Sequence, residues 1–149
     1  MTTLVEFGDL ARAEHGLVVV ATLRADHTIQ ASLINAGVLN HPITGEPVAG
    51  FATYGRVKLA NLRARPQLTI TARSGWQWAT VEGEAQLCGP DDDYEGLGAE
   101  RILRLLREVF VAAGGEHDDW GEYDRVMAAQ RRCVILTSPT RCYSNATAG

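Results

Sequence analysis

The sequence predicts an α+β fold that is mainly β: six antiparallel strands close into a small barrel, and helices pack on its outside. One observation is the order of the predicted elements, which is a helix, five strands with one helical insertion, two helices and a last strand. Another is that most strands follow each other through short turns, as antiparallel strands do. The length of 149 residues, with 46% hydrophobic and 21% charged residues, indicates a single domain spanning residues 1–149.

The first elements follow from periodicity and turn residues. Phe7–Glu14 has the apolar spacing of a short helix, and Gly16 is a natural C-terminal break. Leu17–Arg24 is rich in β-branched residues and is predicted to be a well-buried strand. His27 lies in the tight turn that follows, at a position that favours positive φ, so we interpret it as a turn residue before a catalyst. Ile29–Leu39 is the second strand.

The middle of the chain alternates between strand and helix. Asn40–Pro47 is a loop of turn residues, and Gly50–Tyr54 is a short third strand. Arg56–Ala64 is predicted to be a helix, which Pro66 ends because its ring does not fit a helix interior. Gln67–Arg73 then alternates apolar and polar residues, which is the period of a half-buried strand.

The last third of the chain supplies a long strand, two helices and a final strand. Trp76–Cys88 follows a turn at Ser74–Gly75 and is interrupted by Gly83, where we expect a bulge or a close backbone approach. The two helices and the final strand are predicted at Ala99–Ala113, Trp120–Gln130 and Arg132–Ser138.

Composition restricts the classes of function. The net charge of −4 gives no electrostatic reason to expect a nucleic acid partner, and no apolar run approaches the roughly 20 residues that cross a bilayer. The N-terminus lacks the features of a secretory signal, so a cytoplasmic protein is expected. Cys88, Cys133 and Cys142 have no metal-ligand spacing, which favours reduced thiols and no metal site. Residues 142–149 are small and polar and are expected to fray.

A basic pair after the third strand is the first candidate for a binding site. Arg56 and Lys58 open the predicted helix, where free backbone N–H groups and the helix dipole attract anions. The alternative is that both are solvated charges on a surface turn.

Polar and aromatic residues on two strands are further candidates. Ser32 and Asn35 stand in an otherwise apolar strand, although both can bond to neighbouring backbone at a bulge near Ala36–Gly37. Trp76 and Trp78 share one predicted strand face. That face is either plain core, or it meets a partner subunit or a ring-shaped ligand.

Four stretches, which together cover most of the chain, form a recognisable combination. They read LVVVATLRADHTIQASLIN, GFATYGRVKLANLRARPQLTIT, ATVEGEAQL and RCVILTSPTRCYS. The segment R-x-K-x-x-N-L-R-x-x-P, followed by a strand and then V-E-G, is specific as a combination, although each piece alone is weak. On these residues the chain resembles the split β-barrel flavoprotein superfamily, which includes pyridoxamine 5′-phosphate oxidases and the deazaflavin (F420)-dependent reductases of actinobacteria.

The resemblance implies a six-stranded antiparallel split β-barrel with peripheral helices, assembled as a homodimer with two sites at its interface. In such proteins the cofactor phosphate meets basic residues after the third strand, the ring lies along the second strand, and the partner's fifth strand closes the site. The implied cofactor-binding residues are Thr53, Tyr54, Arg56 and Lys58 at the phosphate, Gln30, Ser32, Leu33 and Asn35 along the ring, and Trp76 and Trp78 from the partner.

Departures from the oxidase pattern favour the F420-dependent branch. Pyridoxamine oxidases place Arg-Lys in sequence at the phosphate turn, whereas Val57 precedes Lys58 in this chain. Asn35 stands where those oxidases have a basic residue, and their long basic C-terminal segment is absent. The short chain and the segment KLANLRARP look more like the F420-dependent branch.

Three kinds of function stay open. The first is an oxidoreductase that uses reduced F420, or FMN as the alternative, to reduce a conjugated small-molecule substrate by hydride transfer. The cofactor carries that chemistry itself, so no side chain is assigned as a catalyst. The second is a flavin, deazaflavin or haem carrier on the same barrel without turnover. The third is a dimerisation module, in which the basic pair and the two tryptophans are coincidental.

Overall fold

The computed structural model describes residues 2–146 and contains six strands and four helices there. In chain order they are α1 (Leu4–Ala13), β1 (Leu17–Leu23), β2 (Ile29–Asn40), β3 (Pro47–Thr53), α2 (Arg56–Ala64), β4 (Gln67–Ser74), β5 (Gln77–Cys88), α3 (Ala99–Ala112), α4 (Trp120–Ala129) and β6 (Cys133–Ser144). The strands form one closed antiparallel barrel in the order β1-β2-β3-β6-β5-β4, which confirms the predicted fold. No helix within residues 2–146 is both long and apolar enough to cross a bilayer.

Strand β2 pairs with two different strands along its length. It pairs with β1 as far as Asn35 and with β3 from Ala36 onward. The bulge expected at Ala36–Gly37 is wrong, because β2 changes partner there without a register shift. A Cβ atom at Gly37 would lie 2.2 Å from the backbone carbonyl of Ala112. Glycine therefore allows α3 to pack directly on the strand.

The pairing of β5 with β6 carries the irregularity that the sequence predicts. The register shifts between Glu82 and Gly83, which confirms the bulge expected at that glycine. A Cβ atom at Gly83 would lie 2.2 Å from the carbonyl oxygen of Ser138. The predicted close backbone approach is therefore also present.

Strand β6 is longer than expected. We expected it to end at Ser138 and residues 142–149 to fray, but β6 continues to Ser144, so the expectation is wrong for residues 142–144. Pro139 lies at the irregularity opposite Gly83, where a strand tolerates a residue that lacks an N–H donor. Residues 147–149 lie outside the described part of the chain.

The hairpin between β4 and β5 differs from the prediction by one position. The expected turn was Ser74–Gly75, but Ser74 pairs with Gln77, so the turn residues are Gly75, with φ of +62°, and Trp76. Trp76 therefore stands in the turn with 94% of its surface exposed, and only Trp78 of the pair lies in a strand. The expected shared strand face of the two tryptophans is wrong for that reason.

Local chemistry explains three other boundaries and turns. Helix α1 begins earlier than expected because the Thr3 hydroxyl caps it, accepting a 3.3 Å hydrogen bond from the N–H of Glu6. Strand β3 begins at Pro47, inside the expected loop, since proline is tolerated as the first residue of a strand. His27 has φ of +71°, which confirms it as a turn residue.

Two apolar cores stabilise the domain. The first fills the barrel and includes the fully buried Phe7 of α1 and Phe51 of β3. The second lies between the outside of the barrel and the two outer helices, where Leu105 and Val109 of α3 meet Tyr123 of α4. The second core holds α3 against β2 and β3 and holds α4 against α3, and this placement creates the cleft described next.

Candidate functional site

A cleft of about 630 Å³ lies between β2, β3, the start of α2 and the two outer helices. Its volume falls within the usual range of small-molecule sites, roughly 300–1,000 Å³. Predicted site residues in its lining are Leu33, Asn35, Thr53, Tyr54 and Lys58. The later part of the chain contributes Val109, Phe110, Ala113, His117, Glu122, Tyr123, Val126, Met127 and Arg132.

Lys58 is the buried cation of the cleft. Only 7% of its surface is exposed, and no carboxylate among residues 2–146 lies within ion-pair distance of its Nζ. Burial lowers the pKa of Lys58, because desolvation disfavours the ammonium form. Lysine is rarely buried without a partner. A buried lysine that faces a cleft and has no ion-pair partner among the described residues is suited to an anionic ligand.

The start of α2 adds backbone donors beside this lysine. Gly55 precedes the helix and gives it no side-chain cap, while its own N–H donates to Thr53 Oγ1 at 3.2 Å. The first N–H groups of a helix have no partner within the helix, and the helix dipole favours negative charge there. The anion-binding helix start stays a prediction from the sequence, and the structure adds that no side chain caps this helix.

Arg132 is a second cation of the cleft, and the sequence reasoning missed it. Its guanidinium carbon lies 4.4 Å from the centroid of the Tyr54 ring, a cation–π contact. Its Nε donates to Gln130 Oε1 at 2.7 Å, and its Nη1 donates to the carbonyl of Ala52 at 3.4 Å. Pairing of Cys133 with Thr53 brings Arg132 beside Tyr54. Only the β3–β6 register would have revealed this neighbour, and sequence periodicity does not fix that register.

Arg56, the other half of the predicted basic pair, is placed differently. It is the first residue of α2, it is exposed to solvent, and it does not line the cleft. The structure thus brings Lys58 together with Arg132, two residues distant in sequence, rather than with Arg56.

Aromatic rings form the wall of the cleft opposite β2 and β3. The centroid of the His117 ring lies 5.8 Å from that of Tyr123 and 6.3 Å from that of Phe110. His117 Nδ1 accepts a 3.0 Å hydrogen bond from the N–H of Asp119, and the Tyr123 hydroxyl donates to the carbonyl of Leu106 at 2.9 Å. Burial raises the pKa of Tyr123, so its hydroxyl acts as a fixed structural donor.

The residues predicted along β2 divide between two faces of the strand. Leu33 and Asn35 face the outside and line the cleft, whereas Gln30 and Ser32 lie on the barrel-facing side and do not. Gln30 Oε1 accepts a 3.1 Å hydrogen bond from Thr22, and Ser32 Oγ is buried without a protein partner among the described residues. Asn35 Nδ2 donates to the carbonyl of His15 at 3.0 Å, a backbone group distant in sequence, so the expected bonding of Ser32 and Asn35 to neighbouring backbone at a bulge is wrong.

The two tryptophans lie apart from the cleft in the single chain. Trp76 and Trp78 border a separate depression of about 520 Å³, which Val19, Thr71 and Arg73 also line. Trp78 makes an edge-to-face contact with Tyr143, with 6.1 Å between the ring centroids. Any contribution of these tryptophans to the cleft must come from a second copy of the chain.

The three cysteines are unsuited to nucleophilic chemistry. Burial raises the pKa of Cys88 to about 11 and that of Cys133 to about 12. Burial also raises the pKa of Cys142, which is half buried. The reactive thiolate is scarce at neutral pH in such surroundings, so these thiols fit the expected packing role.

No family model matches the chain, but solved structures share its fold. An F420 reductase has 17% identity and a TM-score of 0.58, over 85% of this chain and 88% of that chain. A pyridoxamine 5′-phosphate oxidase-related FMN-binding protein from Nostoc punctiforme has 12% identity and a TM-score of 0.59, over 97% and 86% of the two chains. A haem-binding protein from Mycobacterium smegmatis has 15% identity and a TM-score of 0.64, over 100% of this chain and 56% of that chain.

These identities establish the fold alone. The chain has the closed six-strand antiparallel barrel that its sequence resemblance implies, and it shares this fold with the solved structures named above. Fold does not fix activity, so function has to be argued from the cleft.

Proposed function

We propose that the chain binds a phosphorylated tricyclic cofactor in the cleft, F420 ahead of FMN, and uses it to reduce a conjugated small molecule. The observation that carries this proposal is Lys58, a buried cation with no carboxylate partner in the described chain, in the first turn of an uncapped helix. A phosphate or phosphodiester matches both features, because it accepts charge-assisted bonds from an ammonium group and from backbone N–H groups.

The residues of the cleft fit such a ligand. Lys58 and Arg132 supply positive charge at the edge formed by Tyr54, and Leu33 and Phe110 supply apolar walls for a planar ring. When bound, a reduced deazaflavin or flavin supplies the hydride. The protein would hold the phosphate at Lys58, orient the ring against β2 and exclude water from the apolar part of the cleft. No side chain of the cleft is proposed as an acid or base.

We also propose a homodimer in which each copy completes the other's site. Large apolar side chains are exposed on the outer faces of β1 and β2: Leu17, Val19, Ile29 and Leu33. Apolar patches of this kind mark interaction surfaces. Leu33 belongs to this face and also lines the cleft, so a copy seated on the face would reach the cleft. Trp76 and Trp78 are the residues proposed to close the partner's site.

Sedimentation velocity at micromolar concentration tests the shared site. We expect a dimer for the wild type and a shift towards monomer for Leu33→Asp, because a charge on the apolar face would have to be desolvated at the interface. A monomeric wild type at that concentration would contradict the homodimer.

Cofactor titrations test the role of Lys58. A charge-assisted hydrogen bond is worth roughly 1.5–3 kcal/mol, so Lys58→Met should weaken binding by about tenfold to a hundredfold. Arg132→Gln should weaken binding about tenfold, and the exposed Arg56 should matter less, with a change of about threefold or less in Arg56→Ala. Fluorescence titrations with F420 and FMN, at two salt concentrations, give the dissociation constants.

Arg125 is the matched control, because it is an exposed arginine outside the cleft lining. Arg125→Ala should bind like the wild type. Equal dissociation constants for wild type and Lys58→Met would show that no phosphate sits at Lys58. Retention of haem in place of both cofactors would favour the carrier alternative.

A further inference from the structure

A second cavity adjoins the cleft. Its volume is about 360 Å³, and it is bounded by the segment 89–98, the start of α3 and the end of α4. Its wall is mainly apolar, with Leu97, Ile102 and Leu106 among the lining side chains. The volume is within the range of small-molecule sites.

Ion pairs and backbone bridges hold the segment 89–98 that borders this cavity. Arg63 makes a two-bond ion pair with Asp92, with Nη2 of the arginine 2.6 Å from Oδ2 of the aspartate. Arg131 makes a second two-bond pair with Asp91. Backbone bridges within the segment join Gly89 to Asp92 and Tyr94 to Leu97. The cavity is therefore a preformed feature of the fold.

Two side chains form a wall common to this cavity and the cleft. Met127 and Arg132 line both. A guanidinium has five N–H donors, and the described contacts of Arg132 use two of them. The other charged residue of the cavity lining is Asp93, which is exposed to solvent and so stays hydrated. The cavity lining thus offers one cation, Arg132, with N–H donors beyond those that its described contacts use.

We propose that the second cavity binds a small amphipathic carboxylate, with its apolar body against Leu97, Ile102 and Leu106 and its carboxylate on Arg132. An aliphatic or aryl monocarboxylate combines the two properties that the lining requires, an apolar surface to bury and a planar anion for the guanidinium fork. Because Arg132 also lines the cleft, the occupant weakens the binding of anions there. This last effect rests on the proposed function of the cleft, whereas carboxylate binding does not.

The proposed coupling between the second cavity and the cleft must act equally in both directions. If a carboxylate in the second cavity raises the dissociation constant of an anion in the cleft, that anion raises the dissociation constant of the carboxylate by the same factor. A shared guanidinium cannot give its free donors fully to both ligands. Both directions of the effect are measurable in the same protein.

Methyl NMR with octanoate as the probe tests the proposal. The chain has two methionines, and the ε-methyl of Met127 lies in the wall between the cavities, so methyl-labelled protein gives a local signal that Met127→Leu assigns. Octanoate alone should shift this signal saturably. Arg132→Gln should weaken the binding of octanoate at least about tenfold. The binding of octan-1-ol, which lacks the charge, should hardly change.

Ala128→Phe is the matched control, because Ala128 is exposed, lines the second cavity and is absent from the cleft lining. This variant should lose octanoate binding and keep the wild-type affinity for inorganic phosphate. Saturating octanoate should raise the dissociation constant of phosphate at least about fivefold in the wild type and not in Ala128→Phe.

The outcomes separate the two proposals. No saturable shift of the Met127 signal, or octanoate binding that Ala128→Phe leaves intact, overturns the second site. Octanoate binding without an effect on phosphate overturns the coupling. Failure of phosphate or cofactor to bind contradicts the proposed function of the cleft, and the octanoate measurement made without phosphate stands independently of it.

Discussion

Two buried polar side chains, His41 and Lys58, differ in whether the protein itself supplies their hydrogen-bond partners. His41 is 3% exposed, and its Nδ1 accepts hydrogen bonds from the N–H groups of Ile43 and Thr44 at 3.1 and 3.3 Å. Its Nε2 lies 2.7 Å from Gln86 Oε1, which the Tyr94 hydroxyl also reaches at 3.1 Å. Every polar atom of this imidazole is satisfied within the protein.

Lys58 has a similar degree of burial and none of this support. No described side chain neutralises it, and burial lowers its pKa. The difference teaches how to separate structure from function among buried polar groups. A buried group whose hydrogen bonds are all made within the protein, such as His41, holds two loops in place. A buried group that faces a cleft without such bonds can form them with a ligand.

The largest expected effect on stability is at His41. His41→Ala leaves two backbone N–H groups and the Gln86–Tyr94 pair without their partner and also opens a void, so we expect the free energy of unfolding to fall by about 2–4 kcal/mol. Urea denaturation measures this change. Phosphate binding in the cleft should be retained at urea concentrations where the variant is folded. An unchanged unfolding midpoint would show that the histidine network is dispensable.

An opposite effect on stability is expected at Lys58. Lys58→Met replaces a buried charge with an apolar side chain of similar length, so the urea midpoint at neutral pH should rise while ligand binding weakens. A loss of stability in this variant would mean that an internal partner satisfies the lysine.

The same lysine predicts a pH dependence with a definite sign. The pKa of Lys58 is lowered in the folded state, so the unfolded state binds more protons as pH approaches the ordinary value of 10.5. This residue therefore contributes stability that increases with pH over the range just below 10.5. Tyr123 and the buried thiols act in the reverse direction, because their pKa values are raised. The difference between wild type and Lys58→Met isolates the lysine, and parallel pH profiles of the two proteins would contradict its depressed pKa.

The smallest effect is expected at an exposed ion pair. Asp91 pairs with Arg131 at the surface, and the hydrogen bond from this arginine lowers the pKa of Asp91. Exposed pairs contribute little to folding, so Asp91→Asn should leave the urea midpoint within experimental error near neutral pH. A large loss of stability would show that the pair holds the segment 89–98 more firmly than its exposure indicates.

Elements with strong local signals were predictable from the sequence. Gly83 marked the bulge, the φ of His27 followed from its turn position, and apolar periodicity marked the helix that begins at Ala99. Strand boundaries that depend on pairing with a distant strand were harder to predict. The sequence does not show that Pro139 falls opposite Gly83, so the extension of β6 to Ser144 could not be foreseen.

The candidate site was predicted in the same uneven way. Lys58 was found because basic residues at a helix start have a local physical signature. Its burial was not visible in the sequence, since it depends on tertiary packing around the start of α2. Arg132 was missed because its contact with Tyr54 exists only once β6 lies beside β3. Residues with a local signal were therefore predicted, and residues that join the site only through the pairing register of distant strands were not.

The position of β6 in the barrel also constrains how the chain matures during synthesis. β6 is hydrogen-bonded to β3 on one side and to β5 on the other, and it is the last strand in sequence among the described residues. Until residues 133–144 have left the ribosome, β3 and β5 each present an unpaired edge, and such edges invite pairing with other chains. Unpaired edges therefore expose the nascent chain to misassociation until β6 emerges, and a chain stalled before that point would be a natural client for a chaperone.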